Sequence, residues 1–263
     1  MSTTPFDLAD HLDDVTDLVR TAGDLALDWY RTGHHVDNKR SEGFDPVTEA
    51  DRAIESELRR HLGERFPDHQ ILGEEFGLSG EGPRRWVIDP IDGTRAFITG
   101  QPMWGTLLGF TEGERPVAGW MHVPVLDETF VGHRDTSLRT ADGVRPIEVR
   151  PTTRLEDAVV LCTHPTMFAP GQQADAFAEV ADRVRMVRYS GDCLNYGLLA
   201  MGLADSVIEN GLAAYDIVPL IPIIEGAGGV VSDLDGNPPL DGGYVVASAT
   251  PALHDATLEL LRP

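Results

Sequence analysis

The sequence predicts an α+β fold in which sheets are covered by layers of helices. Up to about residue 150, two amphipathic helical segments precede a strand-rich region, and beyond that point short strands and helices alternate. Both patterns require helices packed on the apolar faces of sheets. No internal repeat or long linker interrupts the chain. We therefore expect an N-terminal α+β subdomain at residues 1–150 and a C-terminal α/β subdomain at residues 151–263.

The elements of the first half follow from the spacing of apolar residues. Apolar side chains recur at helical intervals over residues 4–31, where Thr4 and Pro5 suit a cap and a first turn. Residues 33–46 are polar and contain glycine, which predicts a loop, and Thr48 begins a second helix. Short apolar runs then predict strands at residues 70–73, 86–89, 106–111, 117–123 and 128–131.

The second half alternates between the two kinds of element. Strands are predicted at residues 158–162, 185–188, 205–209, 230–233 and 245–248. Helices are predicted at residues 172–183, 192–201, 217–227 and 251–261, the last of them after Thr250. This part of the chain completes the layered arrangement.

The composition excludes several classes of protein. Two cysteines in 263 residues cannot form a disulfide framework. No apolar run approaches the roughly 18 residues that a membrane-spanning helix needs, and the acidic start does not resemble a signal peptide. We expect a soluble cytoplasmic protein that does not bind a membrane.

The charge is strongly acidic, with 43 Asp and Glu against 21 Lys and Arg and a net charge of −22. Such a field repels nucleic acid, so we expect no nucleic-acid partner. Lys39 is the single lysine among these cations. A lysine kept where arginine otherwise prevails indicates either a specific contact or an ordinary solvated charge.

The segment at residues 86–97, WVIDPIDGTRAF, carries the clearest chemical signal. An apolar strand delivers Asp89 at its end, Pro90 stops the ladder, and Asp92 follows on a turn. Two close carboxylates suit a hard divalent cation, and the free N–H groups of a following helix suit an anion such as phosphate. Taken alone, the motif more often marks a turn that uses Asp as a local cap.

Further acidic residues occupy positions of the same kind. Glu74 and Glu75 follow the predicted strand at residues 70–73, and Asp51 lies in the first turn of the second helix. Asp216 precedes an apolar helical segment. Each has a structural alternative, because carboxylates are favoured at helix starts and as caps.

Taken together, these motifs resemble the inositol monophosphatase superfamily. The resemblance rests on PVTEAD at 46–51, LGEE at 72–75, DPIDGT at 89–94 and YD at 215–216. Residues 89–109, 190–202 and 215–231 most resemble histidinol-phosphate phosphatases within it. The resemblance implies the layered αβαβα sandwich of the inositol monophosphatase and fructose-1,6-bisphosphatase type, and a homodimer. Tyr215 departs from the tryptophan that this superfamily commonly has before the last acidic ligand.

The resemblance implies two or three Mg²⁺ ions per site, with Mn²⁺ as a possible substitute. One ion would be held by Glu74, Asp89 and the main-chain carbonyl of Ile91. A second would be held by Asp89, Asp92 and Asp216. Glu74 would also contact a third, looser ion through the attacking water.

The same resemblance implies roles around the phosphate. The amides of Gly93 and Thr94 would cradle it. Asp51 would pair with the Thr94 hydroxyl to orient and deprotonate water. Lys39 would face the phosphate from a loop that closes over the site, unless it is a solvated loop charge.

Specificity is expected from the residues that contact the alcohol half of the ester. The stretch RYSGD at 188–192 places Asp192 at a position that is small and neutral in inositol-cleaving relatives, and Arg188 begins it. Asp192, Glu209 and Arg188 are expected to contact substrate, together with Asp92 and Asp216. Two carboxylates suit an alcohol that carries an imidazole and an ammonium, as histidinol does, and they would be a needless desolvation cost for a neutral cyclitol. Asp192 has the alternative role of a helix cap.

The sequence therefore predicts a Mg²⁺-dependent phosphomonoesterase that converts L-histidinol phosphate to L-histidinol and phosphate in histidine biosynthesis. The small-molecule alternatives are inositol-1-phosphate and the sugar or nucleotide phosphates that related enzymes cleave. A different class of function is a non-catalytic relative that binds metal and phosphate and acts as a regulator.

Overall fold

The structure is a computed structural model that describes residues 6–32, 36–38 and 46–262, with only the backbone described at 36–38 and 46–48. The predicted cap at Thr4 and Pro5 and the predicted phosphate contact of Lys39 lie outside the described residues. No helix in the described part of the chain is both long and apolar enough to cross a membrane.

The described residues of the first half form three α-helices and ten strands. In order they are α1 Leu12–Leu25, β1 Val36–Asn38, β2 Pro46–Thr48, α2 Glu49–Arg65, β3 Gln70–Gly73, β4 Gly77–Ser79, β5 Arg84–Asp92, α3 Thr94–Ile98, β6 Gly105–Glu112, β7 Arg115–Val123, β8 Glu128–Gly132, β9 Thr136–Thr140 and β10 Gly143–Pro146.

The second half, as far as it is described, forms five α-helices and five strands. In order they are β11 Val159–Cys162, α4 Gln172–Arg183, β12 Met186–Tyr189, α5 Leu194–Ala200, β13 Ser206–Leu212, α6 Ala214–Ile217, α7 Ile221–Gly226, β14 Val230–Ser232, β15 Gly243–Ser248 and α8 Pro251–Leu261.

Two large sheets organise these elements. The first has eight strands in the order β10-β9-β8-β7-β6-β5-β3-β4, and the second has five in the order β12-β11-β13-β15-β14. In the first sheet β3 and β5 are parallel and the other neighbours are antiparallel. The carboxyl ends of β3 and β5 therefore lie side by side at one edge of the sheet.

Apolar side chains join the sheets and helices into five layers. Helices α1 and α2 pack on one face of the eight-stranded sheet through residues that include Val19, Leu58, Trp86 and Trp120. Helices α5 and α7 lie between the two sheets, in a core that includes Met121, Phe130, Leu199, Ile223 and Val245. Helices α4 and α8 cover the outer face of the five-stranded sheet through residues that include Phe177, Val180, Ile208 and Leu258. The αβαβα sandwich is thus confirmed.

The structure corrects several predicted elements. Residues 36–38 and 46–48 pair as a two-stranded ribbon, so the prediction of a loop over 33–46 is wrong at residues 36–38 and 46. The helix predicted at 217–227 is shorter and corresponds to α7 at Ile221–Gly226, which is separate from α6 because Pro222 lies in its first turn. The division of the chain near residue 150 stays a prediction, since helices of the second half cover the sheet of the first.

Candidate active site

Strand β5 ends in an acidic turn at the carboxyl edge of the eight-stranded sheet. Its pairing with β6 is regular up to Asp89, shifts register, and resumes at Asp92. The Thr106 hydroxyl donates to the Pro90 carbonyl at 2.8 Å and fixes the irregular stretch. Asp89 is 2% exposed although it is ionisable. The prediction that the strand ends at Asp89 is therefore wrong: Pro90 causes a bulge inside β5, Asp92 is the last residue of the strand, and the turn begins at Gly93.

Gly93 connects this turn to α3 in a conformation that other residues rarely adopt. Its φ is +83°, in the left-handed region. A Cβ at this position would lie 2.9 Å from the Met103 carbonyl oxygen and 3.1 Å from the Asp192 Cβ. Glycine is thus required both by backbone conformation and by space, and Asp192 packs directly against the predicted phosphate loop.

Three carboxylates meet at this place. One oxygen each from Asp89, Asp92 and Asp216 lies within 4.8 Å of the others. The Cys193 N–H donates to Asp92 Oδ2 at 2.6 Å, and the Ala213 N–H donates to Asp216 Oδ2 at 2.7 Å. The structure thus brings together the three residues predicted for one metal ion, and the backbone holds two of them in place.

The electrostatics of this carboxylate cluster fit a divalent cation. Burial raises the pKa of Asp89 well above its ordinary value, and the charges of Glu74 and Asp92 raise it further. Burial likewise raises the pKa of Asp92, with the charge of Asp216 as the next cause. The buried Oδ1 of Asp89 has no hydrogen-bond partner within the described ranges. Oxygen donors crowded in this way suit Mg²⁺, whose positive charge offsets their repulsion.

Glu74 reaches the same cluster from β3. The Glu74 N–H donates to the Ile88 carbonyl at 3.2 Å, which continues the parallel pairing of β3 with β5. Its charge acts on Asp89, as the raised pKa of Asp89 shows. The predicted ligands Glu74 and Asp89 therefore follow the last parallel pair of β3 and β5, Gly73 and Ile88.

Asp51 and Thr94 form the predicted water-activating pair, and the structure shows the position of each residue separately. Asp51 lies in the first turn of α2 and is 1% exposed. The Thr94 hydroxyl donates to the Ile91 carbonyl at 3.1 Å, and this carbonyl is itself a predicted metal ligand. The Asp51–Thr94 pair and the binding of phosphate by the Gly93 and Thr94 amides stay predictions.

A cavity of about 60 Å³ borders the carboxylate cluster on the side of the second sheet. Asp192 and Glu209, the two carboxylates predicted to contact the alcohol, both line it. Its walls are formed by Asp92, Thr163, Met167, Asp192, Cys193, Tyr196, Glu209, Leu212, Asp216 and Leu220. The structure does not bring Arg188 to this cavity, because its side chain is exposed on β12, an edge strand of the five-stranded sheet.

Asp192 does not cap a helix. Helix α5 begins at Leu194 after Cys193 and has no side-chain cap, so the capping alternative is wrong. Asp192 has a φ of +45°, and its N–H donates to the Thr163 hydroxyl at 3.1 Å. Burial raises the pKa of Asp192 to about 6, while the charge of Arg95 lowers it.

Glu209 is held by neighbours that the sequence did not reveal. Its Oε1 accepts hydrogen bonds from the Thr163 N–H at 3.0 Å and hydroxyl at 2.6 Å, and its Oε2 accepts one from the Tyr196 hydroxyl at 3.0 Å. Burial raises the pKa of Glu209 to about 7, although these hydrogen bonds oppose the rise. Thr163 touches both Asp192 and Glu209, and the only sequence signal for it was its position after a predicted strand.

Comparisons with known proteins agree with this geometry. The pattern that defines the inositol monophosphatase family matches residues 8–263. A histidinol-phosphatase of Mycobacterium tuberculosis is 34% identical over 258 residues, which cover 97% of this chain and 95% of that protein. A chloroplastic bifunctional phosphatase of Arabidopsis thaliana is 36% identical over 224 residues, 83% of this chain but only 63% of that protein. The solved structure of an inositol monophosphatase from Zymomonas mobilis has a TM-score of 0.82 and 34% identity, and covers 95% of this chain and 98% of its own.

Proposed function

We propose that this chain, which belongs to the inositol monophosphatase family, hydrolyses L-histidinol phosphate to L-histidinol and phosphate, the reaction of histidine biosynthesis. Members of this family are metal-dependent phosphatases that act on small phosphate monoesters. The observation that carries the choice of substrate is the pair of carboxylates, Asp192 and Glu209, in the cavity beside the metal-ligand cluster.

The metal-binding residues follow from the cluster. Asp89 would bridge two ions, one shared with Glu74 and the Ile91 carbonyl and the other with Asp92 and Asp216. Mg²⁺ fits the all-oxygen donor set, Mn²⁺ is a substitute of similar preference, and a third ion would be held more loosely. When bound, the metal stabilises the negative charge that develops on the phosphoryl group.

The chain's own residues would supply orientation and proton transfer. The N–H groups of Gly93 and Thr94, at the start of α3, are suited to hold phosphate oxygens. The Thr94 hydroxyl orients the attacking water, and the buried carboxylate of Asp51 takes its proton. This assignment gives each residue a distinct task.

The alcohol half of the ester would lie against Asp192 and Glu209. A protonated amine there replaces the hydration that burial has removed from these carboxylates, whereas a neutral cyclitol leaves their charge uncompensated. A second phosphate group, as in fructose-1,6-bisphosphate or 3′-phosphoadenosine-5′-phosphate, would lie against a carboxylate instead of a cation. The name of the Mycobacterium tuberculosis relative supports histidinol phosphate.

Inositol-1-phosphate is the second candidate substrate, supported by the name of the Zymomonas mobilis structure. Because metal and phosphate contacts are shared by both substrates, only the residues around the alcohol discriminate between them. The family resemblance also supports a homodimer, which sedimentation analysis of the purified chain would test.

Phosphate release from a panel of esters tests the proposal. Purified protein with saturating Mg²⁺ is assayed on histidinol phosphate, inositol-1-phosphate, fructose-1,6-bisphosphate and 3′-phosphoadenosine-5′-phosphate. We expect the highest kcat/KM for histidinol phosphate and loss of all activity on chelation with EDTA. A higher kcat/KM for inositol-1-phosphate would overturn the substrate assignment, and absence of hydrolysis of every ester would favour a non-catalytic binding protein.

A further inference from the structure

Helix α2 carries a buried carboxylate that the proposed mechanism does not use. Glu55 is fully buried, one helical turn after Asp51. A buried charge is stable only when hydrogen bonds and opposite charge replace its lost hydration. The partners of Glu55 therefore indicate what the residue does.

Those partners lie in the turn that carries Glu74. Glu55 Oε2 accepts a hydrogen bond from the Glu75 N–H at 2.6 Å, and Oε1 accepts one from the Phe76 N–H at 3.2 Å. Arg59 Nε donates to Oε1 at 2.7 Å and supplies the compensating charge. Glu55 thus binds the two amides that immediately follow the predicted metal ligand.

The chain wraps closely around this carboxylate. A Cβ at Gly73 would overlap the Glu55 carboxyl group, so only glycine permits the approach. Arg59 donates to the Gly77 carbonyl and, at 2.8 Å, to the Ser79 hydroxyl. The Glu55–Arg59 pair is therefore hydrogen-bonded to the β3–β4 turn at both its beginning and its end.

Hydrogen bonds hold the main chain at Glu74 and at the two residues after it. Its own N–H is bound to the Ile88 carbonyl of β5, and the next two N–H groups are bound to Glu55. The backbone at Glu74 is consequently held on both sides, with the side chain beside Asp89. The helix that carries Asp51 also fixes the turn that carries Glu74.

We propose that Glu55 is a positioning residue that orients Glu74 toward the metal ion through the Glu75 and Phe76 amides, with Arg59 as its counterion. The inference rests on the proposed function in one respect, that Glu74 binds the metal. Glu55 neither lines the cavity nor belongs to the carboxylate cluster. Partners that orient metal ligands typically contribute 10–100-fold to metal affinity or activity.

Glu55→Gln tests the inference while keeping the size of the side chain. Its amide nitrogen would face N–H donors, so at least one of the three hydrogen bonds to Glu55 is lost. In metal-stripped protein we expect Mg²⁺ affinity, measured by calorimetric titration, to fall about 10–100-fold. We also expect faster hydrogen exchange at the Glu75 and Phe76 amides, and a kcat near that of the parent at saturating Mg²⁺.

Two variants serve as references. Glu57→Gln removes a half-buried glutamate of the same helix that also pairs with an arginine, Arg60, and we expect no change in Mg²⁺ affinity. Glu74→Gln removes the ligand itself, and we expect Mg²⁺ binding to weaken more than in Glu55→Gln. Unchanged Mg²⁺ affinity and activity in Glu74→Gln would overturn the metal assignment under the proposed function.

If Glu74→Gln loses Mg²⁺ affinity and Glu55→Gln keeps it, the inference about Glu55 alone is overturned. A lower melting temperature of Glu55→Gln with parental Mg²⁺ affinity would have the same meaning, because Glu55 would then only support the fold. If Glu55→Gln does not fold, Arg59→Lys decides the question. The lysine keeps the positive charge but loses the hydrogen bonds to Gly77 and Ser79. A parental Mg²⁺ affinity of Arg59→Lys would overturn the inference.

Discussion

Asp192→Asn separates a substrate contact from a structural role, because it removes one charge and keeps the shape of the side chain. Helix α5 has no side-chain cap, so the substitution costs the fold no capping interaction. The hydrogen bond that Thr163 receives comes from the main chain of residue 192 and survives the change. Any effect should therefore come from the lost charge.

The magnitude follows from the ionisation of Asp192 and the strength of a charged contact. Burial raises the pKa of Asp192 to about 6, so the carboxylate is ionised at pH 8. A hydrogen bond to a charged group is worth about 1.5–3 kcal/mol, which corresponds to roughly 10–150-fold in kcat/KM. A neutral ester gains nothing from this charge, and the loss of a negative charge beside Asp92 should leave its hydrolysis equal or faster.

The assay compares kcat/KM for histidinol phosphate and inositol-1-phosphate at pH 8 and saturating Mg²⁺. We expect the ratio of the two constants to fall at least tenfold in Asp192→Asn. Asp182→Asn, at an exposed position on α4, is the matched control and should leave the ratio unchanged. A ratio within about threefold of the parent would refute the cationic-alcohol argument and leave inositol-1-phosphate as the stronger candidate.

Three further substitutions test the rest of the site. Asp89→Asn should abolish phosphate release. It should also raise the melting temperature of the metal-free protein, because it removes a carboxylate whose pKa is raised by burial and by the charges of its neighbours. Activity within tenfold of the parent would show that Asp89 does not bridge two metal ions. Thr94→Ala should lower kcat roughly 10²–10⁴-fold with little change in KM, and a raised KM with parental kcat would reduce Thr94 to a binding contact. Glu209 has a pKa raised from 4.5 to about 7, so its contribution to metal-free stability is present below pH 4.5 and is lost as pH rises through 7. At 1.36 kcal/mol per pH unit the loss is about 3 kcal/mol. In EDTA, the free energy of unfolding measured with urea should therefore decrease less between pH 5 and pH 8 for Glu209→Gln than for the parent. An equal decrease in both proteins would contradict the raised pKa.

The part of the site that lies on one continuous segment could be predicted from sequence. Asp89 and Asp92 flank the bulge near the end of β5 and Gly93 follows on a turn, where a short motif fixes the backbone by itself. The resemblance added Glu74 and Asp216, which the structure brings to the same cluster as Asp89. Residues that act through distant contacts escaped prediction, as Glu55 and Thr163 do, because their partners lie 20 and 46 positions away.

Five of the described strands escaped prediction, β1, β2, β4, β9 and β10, and the edge strand β10 did so for a different reason. Strands β9 and β10 lie at the end of the eight-stranded sheet, and all four residues of β10 are exposed. An edge strand without a buried face carries no apolar alternation, so its sequence resembles that of a loop.

The turn before α5 shows why the sequence suggested a cap where the fold provides none. Ser190, Gly191 and Asp192 have consecutive φ values of +69°, +148° and +45°. Left-handed backbone costs roughly 1–2 kcal/mol for a residue other than glycine. Thr163 sustains this turn, since its carbonyl accepts the Ser190 N–H at 3.0 Å and its hydroxyl accepts the Asp192 N–H. The turn places Asp192 against Gly93 rather than on the end of α5. A strained backbone held by hydrogen bonds to Thr163, with a carboxylate at the site instead of the less costly glycine, is the pattern expected where the side chain serves the reaction and not the helix.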